Sequence, residues 1–174
     1  LPGAPFIYYG DEIGMRYLKG LTSKEGGFHR TGARSPMQWN SGLNAGFSQA
    51  KPEELYIPMD TSADRPTVES QMADPDSIYH EVKKLIAIRQ AHKILQSEAL
   101  IEFVYCEENA YPLAYRRKDE SGSLLIVVNP SGKEASFPYE GQLGEVLYAN
   151  GGELKLDSGI LIAPAASAVF VWEK

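Results

Sequence analysis

Ser123-Leu124-Leu125-Ile126-Val127-Val128-Asn129, followed by Pro130-Ser131-Gly132, decides the fold class of this chain. An apolar, β-branched run that stops at a Pro-Ser-Gly cluster reads as a strand ending in a turn. The same texture recurs on both sides of it. Ile101–Cys106, Tyr111–Arg117, Ala135–Tyr139, Glu145–Ala149, Glu153–Leu156, Gly159–Ile162 and Ser167–Trp172 also resemble strands. Asp119-Glu120-Ser121-Gly122 and Asn150-Gly151-Gly152 supply further turns between them. Short strands at this spacing predict an antiparallel β-sandwich over residues 95–174. In the last strand Val169 and Val171 share one face and Phe170 and Trp172 the other, and either face suits a core.

On the N-terminal side the texture changes. Asp74 is a candidate cap, Pro75 suits a first helical position, and Asp76 suits the positive end of the dipole. Ile78, Val82, Leu85 and Ile86 then fall on one helical face, predicting a helix over residues 75–94 with those four against apolar neighbours. Residues 1–74 hold one apolar run, Phe6-Ile7-Tyr8-Tyr9, and then a long stretch dense in Gly, Pro, Ser and Asn. A loop of that length inside a compact domain points to function.

Hydrophobic residues are 43% of the 174 and charged residues 23%, a globular composition. The formal charge of -6 and the scattered Lys and Arg argue against nucleic acid as a partner. No apolar run approaches the roughly 20 residues that span a bilayer, so no membrane partner is expected. Cys106 is the single cysteine, which excludes an intramolecular disulfide and a multi-thiolate metal site; at the end of an apolar run it is expected to be a buried, inert thiol. His29, His80 and His92 are scattered and the acidic residues form no calcium loop, so neither a metal nor a cofactor is expected. The chain opens Leu1-Pro2-Gly3-Ala4-Pro5, without Met, and reads as a cut inside a longer protein. Its location is left open, with the cytoplasm slightly favoured.

The words in the long loop are more specific than its length. Gly3-Ala4-Pro5-Phe6-Ile7-Tyr8-Tyr9-Gly10-Asp11-Glu12-Ile13-Gly14-Met15 resembles the segment at barrel strand 8 of the α-amylase superfamily. Gly32-Ala33-Arg34-Ser35-Pro36-Met37-Gln38-Trp39 resembles the A-R-T-P-M-Q-W segment of its oligo-1,6-glucosidase, α-glucosidase and trehalose synthase branches, with Ser35 where Thr is usual. Asn44-Ala45-Gly46-Phe47-Ser48 follows, as it often does in those branches. Thr67-Val68-Glu69-Ser70-Gln71 and Asp74-Pro75-Asp76-Ser77 resemble the stretch before the last barrel helix, with Thr67 where Asn is usual. The resemblance implies a β-rich α+β chain: residues 1–94 as the strand-8, loop and last-helix remnant of a (β/α)8 barrel, then a C-terminal sandwich over 95–174. It implies a parent glycosidase or glucosyltransferase acting on short α-glucosides, with an α-glucan or oligosaccharide as substrate. The family's catalytic Asp, Glu and second Asp follow strands 4, 5 and 7, so they would precede Leu1 and this piece alone would be inactive.

Within the piece, the resemblance makes Arg34 the leading substrate-binding residue, since its counterpart binds the non-reducing-end glucose. A planar guanidinium suits vicinal hydroxyls or a carboxylate. Arg30 and Trp39 are further candidates, and Tyr8, Tyr9 and Phe47 could also stack on sugar. Gln38 and Asn40 read as ordinary loop hydrogen-bonders. Asp11 and Glu12, as neighbours on an extended chain, would face opposite ways and could not flank one bond together. They are expected to bind loop backbone or support an Arg, Glu12 ahead of Asp11. The alternatives are a stand-alone carbohydrate-binding sandwich and a non-catalytic amylase-like scaffold. An apolar Phe6–Tyr9 strand with free edges is expected to be held by a neighbouring copy, by swapping, or by folding back, which gives the piece a route to self-association.

Overall fold

A computed structural model describes residues 3–23 and 30–174; His29 lies outside them. The chain divides into two compact units, one of Pro5–Ile88 and one of Arg89–Lys174 with Gly3 and Ala4. The architecture is mostly β, with antiparallel sheets and few helices.

The second unit holds eight strands: β1 (Leu100–Tyr105), β2 (Leu113–Asp119), β3 (Gly122–Asn129), β4 (Ala135–Pro138), β5 (Leu143–Asn150), β6 (Lys155–Asp157), β7 (Ile160–Ala163) and β8 (Ser167–Glu173). They form a five-stranded sheet in the order β1-β2-β3-β8-β5 and a three-stranded sheet in the order β4-β7-β6, with every recorded pair antiparallel. One core gathers Ala114, Leu125, Val127 and Val171 from the larger sheet with Phe137, Leu161 and Ala163 from the smaller. The alternation of β8 resolves accordingly: Val169 and Val171 are buried, while Phe170 and Trp172 are half-buried. Central β3 is covered on both faces, because Leu124 and Ile126, pointing away from that core, are buried as well. The turn after β3 is fixed by Asn129, whose side-chain amide donates to the Lys133 and Pro164 carbonyls while its oxygen accepts from Ser131. Cys106 lies just past β1 and is exposed, not buried, because the strand ends at Tyr105.

Among its described residues the first unit has two helices, α1 (Val68–Ala73) and most of α2 (Ile78–Ala91), with short 3-10 turns. Helix α1 was not legible in the sequence; Thr67 caps it by accepting from the Ser70 amide. Asp74 does not cap α2. It ends α1, and its carboxylate accepts from the Asp76 amide in the turn between the helices. The apolar face expected of α2 is present but not buried: Ile78 and Ile86 are exposed, and Val82 and Leu85 half-buried. Periodicity identifies an apolar face, not what covers it.

Phe6–Tyr9 also departs from expectation. It forms no strand; Phe6 is 96% exposed, and Ile7, Tyr8 and Tyr9 are exposed too. The backbone turns instead. Gly10 has φ 92, the Asp11 amide donates to the Tyr8 carbonyl, and the Tyr8 amide donates to the Asp11 carboxylate, so the local polar groups are taken up without a strand partner.

Candidate functional site

The first unit is organised by buried polar side chains more than by apolar ones. Gln38 is 1% exposed and its amide donates to the Pro66 carbonyl at 2.5 Å; the Val68 amide donates to the Gln38 carbonyl at 2.8 Å. Gln38 is thus a buried bracket between the loop and the start of α1, not an ordinary loop residue. Asn44, at φ 47, donates to the Ser48 and Ala50 carbonyls at 3.0 and 2.8 Å and shapes the Asn44–Ser48 word. These paired groups satisfy backbone that the loop would otherwise bury unmet.

Arg34 closes a 3-10 turn, Thr31–Arg34, that needs glycine at position 32: a Cβ there would collide with the Leu18 carbonyl, while the Leu18 amide donates to the Gly32 carbonyl at 3.1 Å. The turn leaves the Arg34 side chain half-buried beside Tyr9. The Tyr9 hydroxyl donates to the Ser35 carbonyl at 3.1 Å, and its ring lies 4.6 Å from that of Tyr8, centroid to centroid. Burial pushes the Tyr9 phenol above its ordinary value, Tyr8 adds to this, and the Arg34 cation offsets part of it. The Tyr8 and Tyr9 rings are both exposed, and the Arg34 cation lies near enough to Tyr9 to act on its phenol.

The remaining sequence-predicted residues are placed as follows. Arg30 is exposed at the start of the same turn, where its carbonyl accepts from Ala33. Trp39 has its side chain half exposed, while its backbone bonds to Ala45 and Glu69. Asp11 and Glu12 are not on an extended chain but in the 3-10 turn Asp11–Ile13. Each spends a carboxylate oxygen on nearby backbone, Asp11 accepting from Tyr8 at 3.1 Å and Glu12 from Gly10 at 2.7 Å. Glycine at 14 belongs to this arrangement, with φ 67 and the Ile78 Cδ1 2.8 Å from where a Cβ would stand. The structure therefore sets the Arg34 cation near Tyr9, whose ring packs on that of Tyr8, and ties one carboxylate oxygen of each acidic residue to the backbone of their own loop.

The family model for the α-amylase catalytic domain matches residues 1–98, more than half of the chain. This chain belongs to the α-amylase family. A probable oligo-1,6-glucosidase of Bacillus subtilis is 29% identical over 99% of this chain, and a glucan 1,6-α-glucosidase of Streptococcus pneumoniae is 30% identical over 85% of it. A trehalose synthase/amylase of Mycolicibacterium smegmatis is 38% identical over 53% of the chain. The crystal structure of the trehalulose synthase MutB from Pseudomonas mesoacidophila superposes over 99% of the chain and 36% of its own, with a TM-score of 0.82 at 22% identity, a likeness of fold. The chain spans only 36% and 32% of the length of the first two relatives. The four loop words that carried the resemblance in the sequence all fall within the matched residues.

Proposed function

We propose that this chain is the C-terminal part of a retaining glycoside hydrolase or glucosyltransferase that acts on short α-glucosides. Residues 1–94 are the strand-8, loop and last-helix remnant of a (β/α)8 barrel, and residues 95–174 form a C-terminal β-sandwich domain. The observation that carries the reading is the loop itself. It sets the Arg34 cation near Tyr9, whose ring packs on that of Tyr8, while Asp11 and Glu12 are engaged with the backbone of their own turn. That is the layout of a substrate-binding rim, with the reacting carboxyl groups supplied by other segments of the parent protein. The exposed Phe6–Tyr9 run and the partly exposed apolar face of α2 fit pieces whose covering layers lie in those segments.

In the parent protein one carboxylate attacks the anomeric carbon while a carboxylic acid, about 5 Å away, protonates the leaving oxygen. The covalent glucosyl-enzyme is then released to water or to an acceptor sugar. Arg34 holds hydroxyls of the transferred glucose; Arg30 and Trp39 contribute to the same rim, and Glu12 and Asp11 fix the loop that positions it. The test is turnover of p-nitrophenyl α-glucoside, isomaltose and trehalose by the full-length protein, with the anomer of the first product followed by NMR. Net retention of the α-anomer supports the reading; inversion, or no turnover of any α-glucoside, overturns it.

A further inference from the structure

The unit of Arg89–Lys174 contains an open groove of about 1140 Å³ that runs beside Trp172, between the segment that follows α2 and the turn joining β2 to β3. Its walls combine an aromatic surface with polar groups of both kinds. Trp172 is half-buried on the face of β8 opposite the core and is braced by His92, whose ring meets the indole edge-on at 6.2 Å between centroids. On the turn side Gly122 adds no side chain next to the ring, since even a Cβ there would stand 3.9 Å from Trp172 Cζ3. Glu120 and Glu145 are exposed at the groove, Glu98 and Asp119 bring the carboxylates to four, and Lys93, Lys118 and Gln96 add donors.

We propose that this groove is a second carbohydrate-binding site that takes several consecutive units of an α-glucan chain, with one sugar ring stacked on Trp172. Three features select the ligand. An indole face offers a flat apolar surface to the C–H face of a pyranose, and its half-burial in the sheet keeps the ring rigid, so little side-chain entropy is lost on binding. Carboxylates and donors along the walls suit hydroxyl groups, which both give and accept hydrogen bonds. Carboxylates also outnumber ammonium groups there, which disfavours phosphate and other anions. An open groove of about 1140 Å³ has room for more than one sugar unit. The choice of an α-glucan rests on the α-glucoside reading above; the groove and its chemistry do not.

The test is electrophoresis of the full-length protein through native gels that contain soluble starch or dextran. Wild type is expected to be retarded by at least one of the two polymers. Trp172→Ala should weaken the apparent affinity by about tenfold or more. Trp172 sits in a strand, so the double variant Glu120→Ala/Glu145→Ala, changed only at exposed positions, provides the check: with an unchanged melting temperature it should lose retardation in the same polymer. Equal retardation of wild type and the folded double variant overturns the proposal, as does wild type that neither polymer retards. Turnover of p-nitrophenyl α-glucoside by wild type reads the proposed function separately, so a protein that is retarded without turnover keeps the groove and loses only the enzyme.

Discussion

The Tyr139 hydroxyl donates a hydrogen bond to the Glu173 carboxylate at 2.5 Å. Tyr139 follows β4 of the smaller sheet, and Glu173 closes β8 of the larger, so this bond ties the two sheets together at one end of the shared core. Arg116 Nε lies 2.8 Å from both carboxylate oxygens of Glu173, and the Ser123 hydroxyl also donates to it. The carboxylate side chain is only 9% exposed, which makes its partners costly to remove.

Tyr139→Phe keeps the ring in the core and deletes the donor. It should destabilise the protein by about 1–3 kcal/mol, because a buried carboxylate loses a charge-assisted partner. Urea denaturation measures this; an unchanged midpoint would show that the tie between the sheets contributes nothing.

The same cluster sets a pH dependence at both ends. Burial alone would push the Glu173 carboxyl up, but the donors Ser123, Tyr139 and Arg116 overcome it and hold it below the usual carboxylate range. A depressed folded value stabilises above the unfolded value of about 4.3 and is lost as pH falls through the folded one. Tyr139 is shifted the other way, raised by burial and by its bond to Glu173. Its contribution is complete below about pH 10 and is lost as pH rises beyond that. Melting temperature against pH should therefore fall at both extremes, and Glu173→Gln should flatten the acid limb. An acid limb identical in wild type and Glu173→Gln would contradict the assignment.

Arg117 is 0% exposed, and its guanidinium donates to the carbonyls of Gln96 and of Ala99, the latter at 2.9 Å. It pins the segment that leads from α2 into β1. Arg117→Ala removes those donors and opens a cavity, and should cost about 2–4 kcal/mol. Faster hydrogen exchange of the amides at residues 96–100 would locate the loss. A variant within about 0.5 kcal/mol of wild type, with unchanged exchange, would refute the role.

The strands were legible because their signals are local. All eight appear within about two residues of where alternation and turn clusters placed them, as at Ser123–Asn129, observed as Gly122–Asn129. What failed depended on tertiary surroundings. Asp74 carries the chemistry of a helix cap, but the chain uses it in an intervening turn, because α1 ends there. Phe6–Tyr9 has the composition of a strand, but a strand exists only with a partner, and Gly10 bends the backbone before one is reached. Gln38 gave no sign of burial, since only the folded loop brings the Pro66 carbonyl to its amide. In the long loop, the sequence words singled out Arg34, and its proximity to Tyr9 became visible only once the Gly32 turn was folded. The groove at Trp172 was out of reach, because His92, Glu120 and Glu145 meet it from separate segments.

On the function proposed above, this chain contributes a substrate-binding rim, led by Arg34, to an enzyme that acts on α-glucosides. The most direct test is kcat/KM for p-nitrophenyl α-glucoside and isomaltose in the full-length protein, wild type against Arg34→Ala. Loss of a charged hydrogen bond to the bound glucose predicts a fall equivalent to about 2–4 kcal/mol on both substrates. Unchanged kcat/KM in an Arg34→Ala protein that folds like wild type would contradict the claim.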